Sequence, residues 1–303
     1  MLNIIPKRKI YLTISGILVA LSIIGFFVYG LNYGIDFTGG SLIELKFKEE
    51  PLSNDAIRDA LAGFDLKSLT AQPLGGKGVI LRSQDIDEAT HQAIIEKLSG
   101  IANPENKEEV FMEEVRFESV GPSMGKELKG KAIKAAILAI LFIALYIAWA
   151  FRKVSKKVPS WKYGVCAVIA LFHDVMIVVG VFVFLGKYHN MAVDTSFVAA
   201  LLTILGYSVN DTIVIFDRIR ENLFKKAGAF EEVVNTSVNE VLVRSIHASG
   251  TTFVSLIPVY LFGGDAIKGF SLALLIGLIS GTYSSIFIAS PILVEWEKAR
   301  IKN

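Results

Sequence analysis

The chain has 303 residues, 52% of them hydrophobic and 20% charged, with a formal net charge of +2. An ordinary soluble domain of this length would not need so much apolar content. The near-neutral charge says little about partners, and the single Cys166 rules out an internal disulfide; its place inside an apolar run marks it as a small core filler.

Six segments reach the roughly 20 mostly apolar residues that a membrane-spanning helix requires: residues 10–30, 135–151, 163–186, 195–216, 241–262 and 269–294. The first is too long for a signal-peptide core and is followed by no small-residue cleavage site, so it reads as a retained span. Lys7, Arg8 and Lys9 precede it. Arg152, Lys153, Lys156, Lys157 and Lys162 follow the second span, Arg218, Arg220, Lys225 and Lys226 the fourth, and Lys298, Arg300 and Lys302 the sixth. The short loops after spans three and five hold only Lys187 and Lys268. By the positive-inside rule both termini are cytoplasmic, including the tail at 295–303.

Between spans one and two lies a polar section, residues 41–130. Residues 41–48 alternate as a strand does. Residues 52–64 predict a helix capped by Ser53 or Asn54. Residues 66–72 and 78–82 predict two short strands, and 85–98 a second helix with Asp85 and Glu88 spaced as a capping box. Alternation returns over 110–120. The order β-α-β-β-α-β is that of a ferredoxin-like α+β domain. Because span one ends on the outer side, this domain is expected to be extracytoplasmic. No catalytic cluster is visible in it, and His91 reads as a solvated helix-surface histidine. The fold class expected is thus an α-helical polytopic membrane protein, with six spans and one extracytoplasmic ferredoxin-like domain between the first two. Helices two to six occupy 131–294, and residues 217–240 read as an amphipathic helix pair along the cytoplasmic face, broken at Gly228.

Charged groups inside spans are costly, roughly 2.5 to 3.5 kcal/mol each at the helix centre on insertion scales. The chain places Asp211 in span four, Arg244 early in span five, and His173 with Asp174 in span three. Asp211 lies about 21 Å along its helix from Phe197, and Arg244 about 27 Å from Phe262. Both depths fall in the cytoplasmic half, so the two can meet if these helices pack. Asn210, Tyr207 and Ser208 accompany Asp211; Glu240, His247 and Thr251 share the face of Arg244. An Asp beside an Arg keeps its charge, and the same Asp alone in an apolar site takes a proton. A pair that forms and parts can therefore pass protons. Against this stands a static tie between helices, yet interhelical polar contacts average only about 0.6 kcal/mol. Arg244 could also reach the headgroups. His173 and Asp174 could simply bond to neighbouring helices, and Gly277 with Gly281 reads as close helix packing.

The segment GYSVNDTIVIFDRIREN (206–222) resembles the fourth-span signature of the SecF family, the smaller subunit of the SecD–SecF protein-export accessory complex. DFTGG (36–40), SVGPSMGKEL (119–128), the HD pair at 173–174 and NTSVNEVLVRSIHASGTT (235–252) agree with it. The resemblance covers nearly the whole chain. It implies membership of the resistance-nodulation-division superfamily and a proton-motive-force-coupled accessory role in late preprotein export. The residues implicated in proton passage are Asp211 and Arg244. The partners implied are SecD, the SecY-SecE-SecG translocon, YajC, the translocating preprotein and membrane lipid. No nucleic acid, cofactor, metal or enzymatic reaction is implied, and the setting is a bacterial-type inner membrane. In DFTGG and SVGPSMGKEL, the residues Gly39, Gly40, Gly121, Pro122 and Gly125 allow tight backbone turns and are hinge candidates. Two other readings remain: a self-contained proton-coupled small-molecule transporter, which normally has two repeats in one chain and would here need a homo-oligomer to supply the second, and a non-transport assembly scaffold.

Overall fold

A computed structural model describes residues 1–49, 51–64, 66–74, 76–102, 111–152 and 158–302. It divides into two compact units: Met1–Asn32 with Ala132–Asn303, and Tyr33–Lys131. The basic residues Lys153, Lys156 and Lys157 and the expected first residue of the last strand, Val110, lie outside the described residues.

The unit Tyr33–Lys131 opens with a one-turn helix, α1a in sequence position before the first strand, Ile35–Thr38. Four strands follow: β1 (Gly40–Phe47), β2 (Thr70–Leu74), β3 (Gly78–Ser83) and β4 (Met112–Val120). They form one antiparallel sheet in the order β2-β3-β1-β4, the arrangement expected of a ferredoxin-like domain. Two helices, Asn54–Leu61 and Glu88–Ala102, close the core with Ile57, Leu61, Ile94 and Leu98 against Ile43, Leu45, Val79 and Leu81. Ser53 is the cap of the first, accepting from the Ala56 amide at 3.2 Å. The capping box expected from Asp85 and Glu88 does not form. Asp87 accepts from the Thr90 amide instead, at 2.9 Å, and Asp85 accepts from the Ser119 hydroxyl. The second strand also starts later than expected, because residues 66–69 precede the ladder.

His91 is not a solvated residue. It is 3% exposed and lies flat on Phe117, with ring centroids 3.8 Å apart. Its Nδ1 is 3.3 Å from Glu88 and its Nε2 3.0 Å from Glu114. Phe117 and Glu114 belong to β4, so the imidazole ties helix to sheet; their place across the domain is invisible in the local pattern around residue 91.

The other unit is helical. Its members are α1 (Arg8–Tyr29), α2 (the membrane part of Pro122–Ala150), α3 (Ser160–His189), α4 (Thr195–Lys225), α5 (Phe230–Phe262), α6 (Asp265–Ser284) and α7 (Ser290–Lys302). Among the described residues six helical stretches are long and apolar enough to cross a membrane, the last running from Ile267 to Ala299 through α6 and α7. α6 and α7 are joined by a π turn, Ser285–Ala289. Burial is uneven. The apolar windows of α3, α4 and the last span are 39%, 44% and 61% buried, against 6% for the first and second spans and 11% for α5. The core is therefore a triad of α3, α4 and α6, with the other helices at its edge.

The expected amphipathic pair at 217–240 takes another form. α4 and α5 are about 46 Å and 50 Å long at 1.5 Å per residue, well beyond the roughly 30 Å hydrocarbon layer. The charged residues are simply their projecting ends. Gly228 breaks them, with φ of 141°. At the same end, Arg8 bonds Glu231 at 2.7 Å and also Glu295. The Asn235 side chain accepts from the Ile4 and Ile5 amides. Lys162 pairs with Glu297, both nearly buried. Arg8 and Lys162, counted as topogenic charges in the sequence, thus also serve as internal ties.

His91→Ala should weaken the ferredoxin-like domain by about 2 kcal/mol, through loss of the stacked ring and its bonds. Faster amide hydrogen exchange across β4 in the full chain would show it, with His91→Phe recovering part of the protection.

Candidate functional site

The sequence-predicted polar residues separate into a closed cluster inside the triad, an exposed open set, and Asp211 at the contact of α4 with α5. The closed cluster is built around Asp174 on α3, which is 0% exposed. Its Oδ1 accepts from Ser280 at 2.8 Å, and its Oδ2 from Ser208 at 2.6 Å and Ser284 at 2.8 Å. The His173 Nδ1 lies 3.1 Å from Oδ1. Three membrane helices, α3, α4 and α6, therefore converge on one carboxyl group. A buried acceptor left unpaired costs about 1–3 kcal/mol, so the three hydroxyl donors are what make this carboxyl tolerable here.

Sequence reasoning found Asp174, His173 and Ser208 but missed the serines that hold them. The signal was the run ISGTYSS at 279–285, where Ser280 and Ser284 stand one helical turn apart. The signal for the π turn Ser285–Ala289 was Pro291, which follows two residues later and cannot donate into the preceding turn. The extra residue of the turn brings Ser285 inward as well, where its hydroxyl lies 2.8 Å from that of Thr212. Gly281 makes the approach possible, since a Cβ there would lie 2.9 Å from the Ser208 Cβ. The reading of Gly277 and Gly281 as packing residues matches this geometry: a Cβ on Gly277 would run into the Ile204 side chain.

Asp211, one turn beyond Ser208 on α4, is 4% exposed and faces α5. Its Oδ2 accepts from Ser249 at 3.3 Å, and Thr282 donates to the Ser249 hydroxyl at 2.5 Å. No hydrogen bond or ion pair joins Arg244 to it among the described residues, although the Arg244 charge lies within electrostatic reach of its carboxyl. Arg244 is exposed on α5, because the Ser245 and Ser249 face of that helix meets α4 and residue 244 points about 100° away from residue 245. Asn210 and Thr251 are exposed too; Thr251 returns its hydroxyl to the Ala248 carbonyl. Asn210, Arg244 and Thr251 form the open set. Among the described residues no cluster of His, Cys, Asp and Glu could hold a metal ion.

The hinge candidates lie in the unit Tyr33–Lys131. Gly39 and Gly40 have φ of 75° and 117°. A Cβ on Gly39 would lie 2.8 Å from the Pro122 Cα, and one on Gly125 3.1 Å from the Phe37 carbonyl. SVGPSMGKEL does not make the tight turn expected of it: Pro122 opens the helix Pro122–Ala150, a position that suits its fixed φ and missing N–H. Gly121 touches nothing and needs no special conformation. Gly39 and Gly125 thus serve close backbone packing of the 36–40 and 119–128 segments, and Gly40 that of β1 against Ser83 of β3.

Gly281→Val should wedge α6 from α4 and separate Ser208 from Asp174, at a cost of about 2 kcal/mol from overpacking. The detergent melting temperature of the full chain should fall by several degrees, and Gly281→Ala should fall less.

Two family profiles match: protein export membrane protein SecD/SecF, C-terminal, over residues 102–299, and the SecD/SecF GG motif over 24–50. The chain is 43% identical to the protein translocase subunit SecF of Thermobaculum terrenum, over 98% of this chain and 94% of that one. It is 41% identical to the SecF of Desulfurispirillum indicum, over 97% and 91%. Its fold matches the crystal structure of SecDF, a translocon-associated membrane protein from Thermus thermophilus, with a TM-score of 0.82 and 31% identity. That match spans 98% of this chain and 39% of the longer one. On a near-full-length match to its relatives and a shared six-span fold, the chain belongs to the SecF family of protein-export membrane proteins.

Proposed function

We propose that this chain is an accessory subunit of the Sec translocation machinery that couples proton entry at Asp211 to late preprotein export, together with a SecD-type subunit. The observation that carries the reading is Asp211 itself: an acidic residue, 4% exposed inside a membrane bundle, held by a single 3.3 Å hydroxyl contact. Asp174, by contrast, has its acceptor sites filled and serves as a structural anchor. A group so lightly held is free to exchange a proton when its surroundings change. Each proton moved down 100 mV releases about 2.3 kcal/mol, enough to bias a conformational equilibrium.

The likeness to the longer SecDF chain supports a SecD partner, since this chain corresponds to only 39% of it. Asn210, Arg244 and Thr251 are exposed on the membrane helices α4 and α5, where an uncovered arginine would be costly. A partner subunit covering these residues satisfies them and can bring Arg244 and Asp211 together in another conformation. The translocon SecY-SecE-SecG, YajC and the preprotein are the further partners of this reading. The distribution of basic residues supports cytoplasmic termini and an outer ferredoxin-like domain in this reading. The junction residues Gly39, Gly40, Gly121, Pro122 and Gly125 couple that domain to the bundle. No catalysis is involved.

Asp211→Asn, nearly isosteric but unable to titrate, should abolish proton-driven export in inverted vesicles while the chain still co-purifies with its SecD-type partner. Export at the parental rate would overturn the reading.

A further inference from the structure

Four contacts set the antiparallel register of α4 and α5. Asn222 donates to Ser237 at 2.9 Å, Arg218 pairs with Glu240, Ser249 donates to Asp211, and the Tyr207 hydroxyl lies 3.5 Å from that of Thr252. In this register Ser245 falls between Asp211 and the charged cluster at the hairpin loop. It is one turn, about 6 Å, from Ser249.

Ser245 is 2% exposed and its hydroxyl has no hydrogen-bond partner among the described residues. Leaving a buried hydroxyl unpaired costs about 1–3 kcal/mol. A helical serine commonly avoids this by bonding the carbonyl four residues back, as Ser237 does to Val233. Ser245 does not. Unpaired buried polar atoms of this kind are where ordered water binds. One water on Ser245 would span the gap to Ser249 with two hydrogen bonds of about 2.8 Å. Ser249 already touches Asp211. Toward the loop, Val241 packs in the same buried cluster as Ile215 and Ile219. Beyond it Glu240 bonds Arg218, Asn222 and Lys226. From Ser245 to Glu240 is about 7.5 Å along the helix, so the apolar collar is short.

We propose that Ser245 is the water-binding step of a path joining Asp211 to the loop end of the α4–α5 hairpin, closed in this conformation by Ile215, Ile219 and Val241. The inference rests on the proton-coupled reading above and names the side on which Asp211 releases its proton. The Asp211 O–H bond breaks, each oxygen along the path gains one proton and passes another on, and one proton leaves at the loop. Asp211 remains as carboxylate, and no electrons are transferred. The charged groups along the route are Asp211, Arg218, Lys226 and Glu240, with Arg244 exposed on α5.

The test is a cysteine at position 245 (Ser245→Cys) in the full chain with Cys166→Ala, in membrane vesicles with the SecD-type partner present. Silver ion is applied from the loop side, with Ala289→Cys in the dry core as reference. The cysteine at 245 should react at least about tenfold faster, since only a hydrated site forms thiolate. Equal rates would overturn the proposal. Ser245→Ala should lower proton-driven export about fivefold, and Ser245→Thr, which keeps the hydroxyl, should retain it. Full export by Ser245→Ala would overturn it too. The accessibility measurement does not depend on export. A reactive cysteine at 245 in a chain whose Asp211→Asn variant exports normally would refute the proton path while confirming a water site.

Discussion

The bundle depends on one buried carboxyl group being fully satisfied. Asp174 sits where no water competes, and three serines from two other helices meet it. In a soluble protein, apolar burial would hold these helices together. Within lipid that force is absent, and close packing with interhelical hydrogen bonds replaces it. The small residues follow from this. Gly281 lets α4 approach α6 closely enough for Ser208 to reach Asp174, and hydroxyls that short can donate only if the backbones nearly touch.

Asp174 and Asp211 share a bundle but not an environment. The first is enclosed on all sides by donors; the second meets one serine whose hydroxyl is itself engaged by Thr282. Two acidic groups in neighbouring positions are thus held very differently, one by three serines and one by a single serine. What separates them is the identity of the helix each one faces, α6 for Asp174 and α5 for Asp211.

Hydrophobic run lengths made the spans readable, because lipid imposes a minimum length that few other constraints mimic. The strand order of the ferredoxin-like domain was readable for a similar reason: alternation and turn spacing leave few topologies open. Azimuth was not readable. Depth arithmetic placed Asp211 and Arg244 at compatible heights, but which face of α5 meets α4 depends on Ser245 and Ser249 packing inward, and both looked as neutral as their neighbours. His91 failed for the same reason, since its partners Glu114 and Phe117 lie more than 20 residues away in sequence. The π turn did carry a marker, Pro291, which stands two residues past its end and has no N–H to return to the preceding turn.

That wide turn has a mechanical consequence. A proline kink is fixed to its residue, whereas a π turn is a surplus residue that can be handed along the helix. Moving it by one position would rotate the intervening segment by about 100° and exchange which hydroxyl of 284–285 points at α3 and which at α4. With Pro291 fixed just beyond it, such a surplus residue could travel only toward Ser284, so any shift would fall on the hydroxyls that meet Asp174.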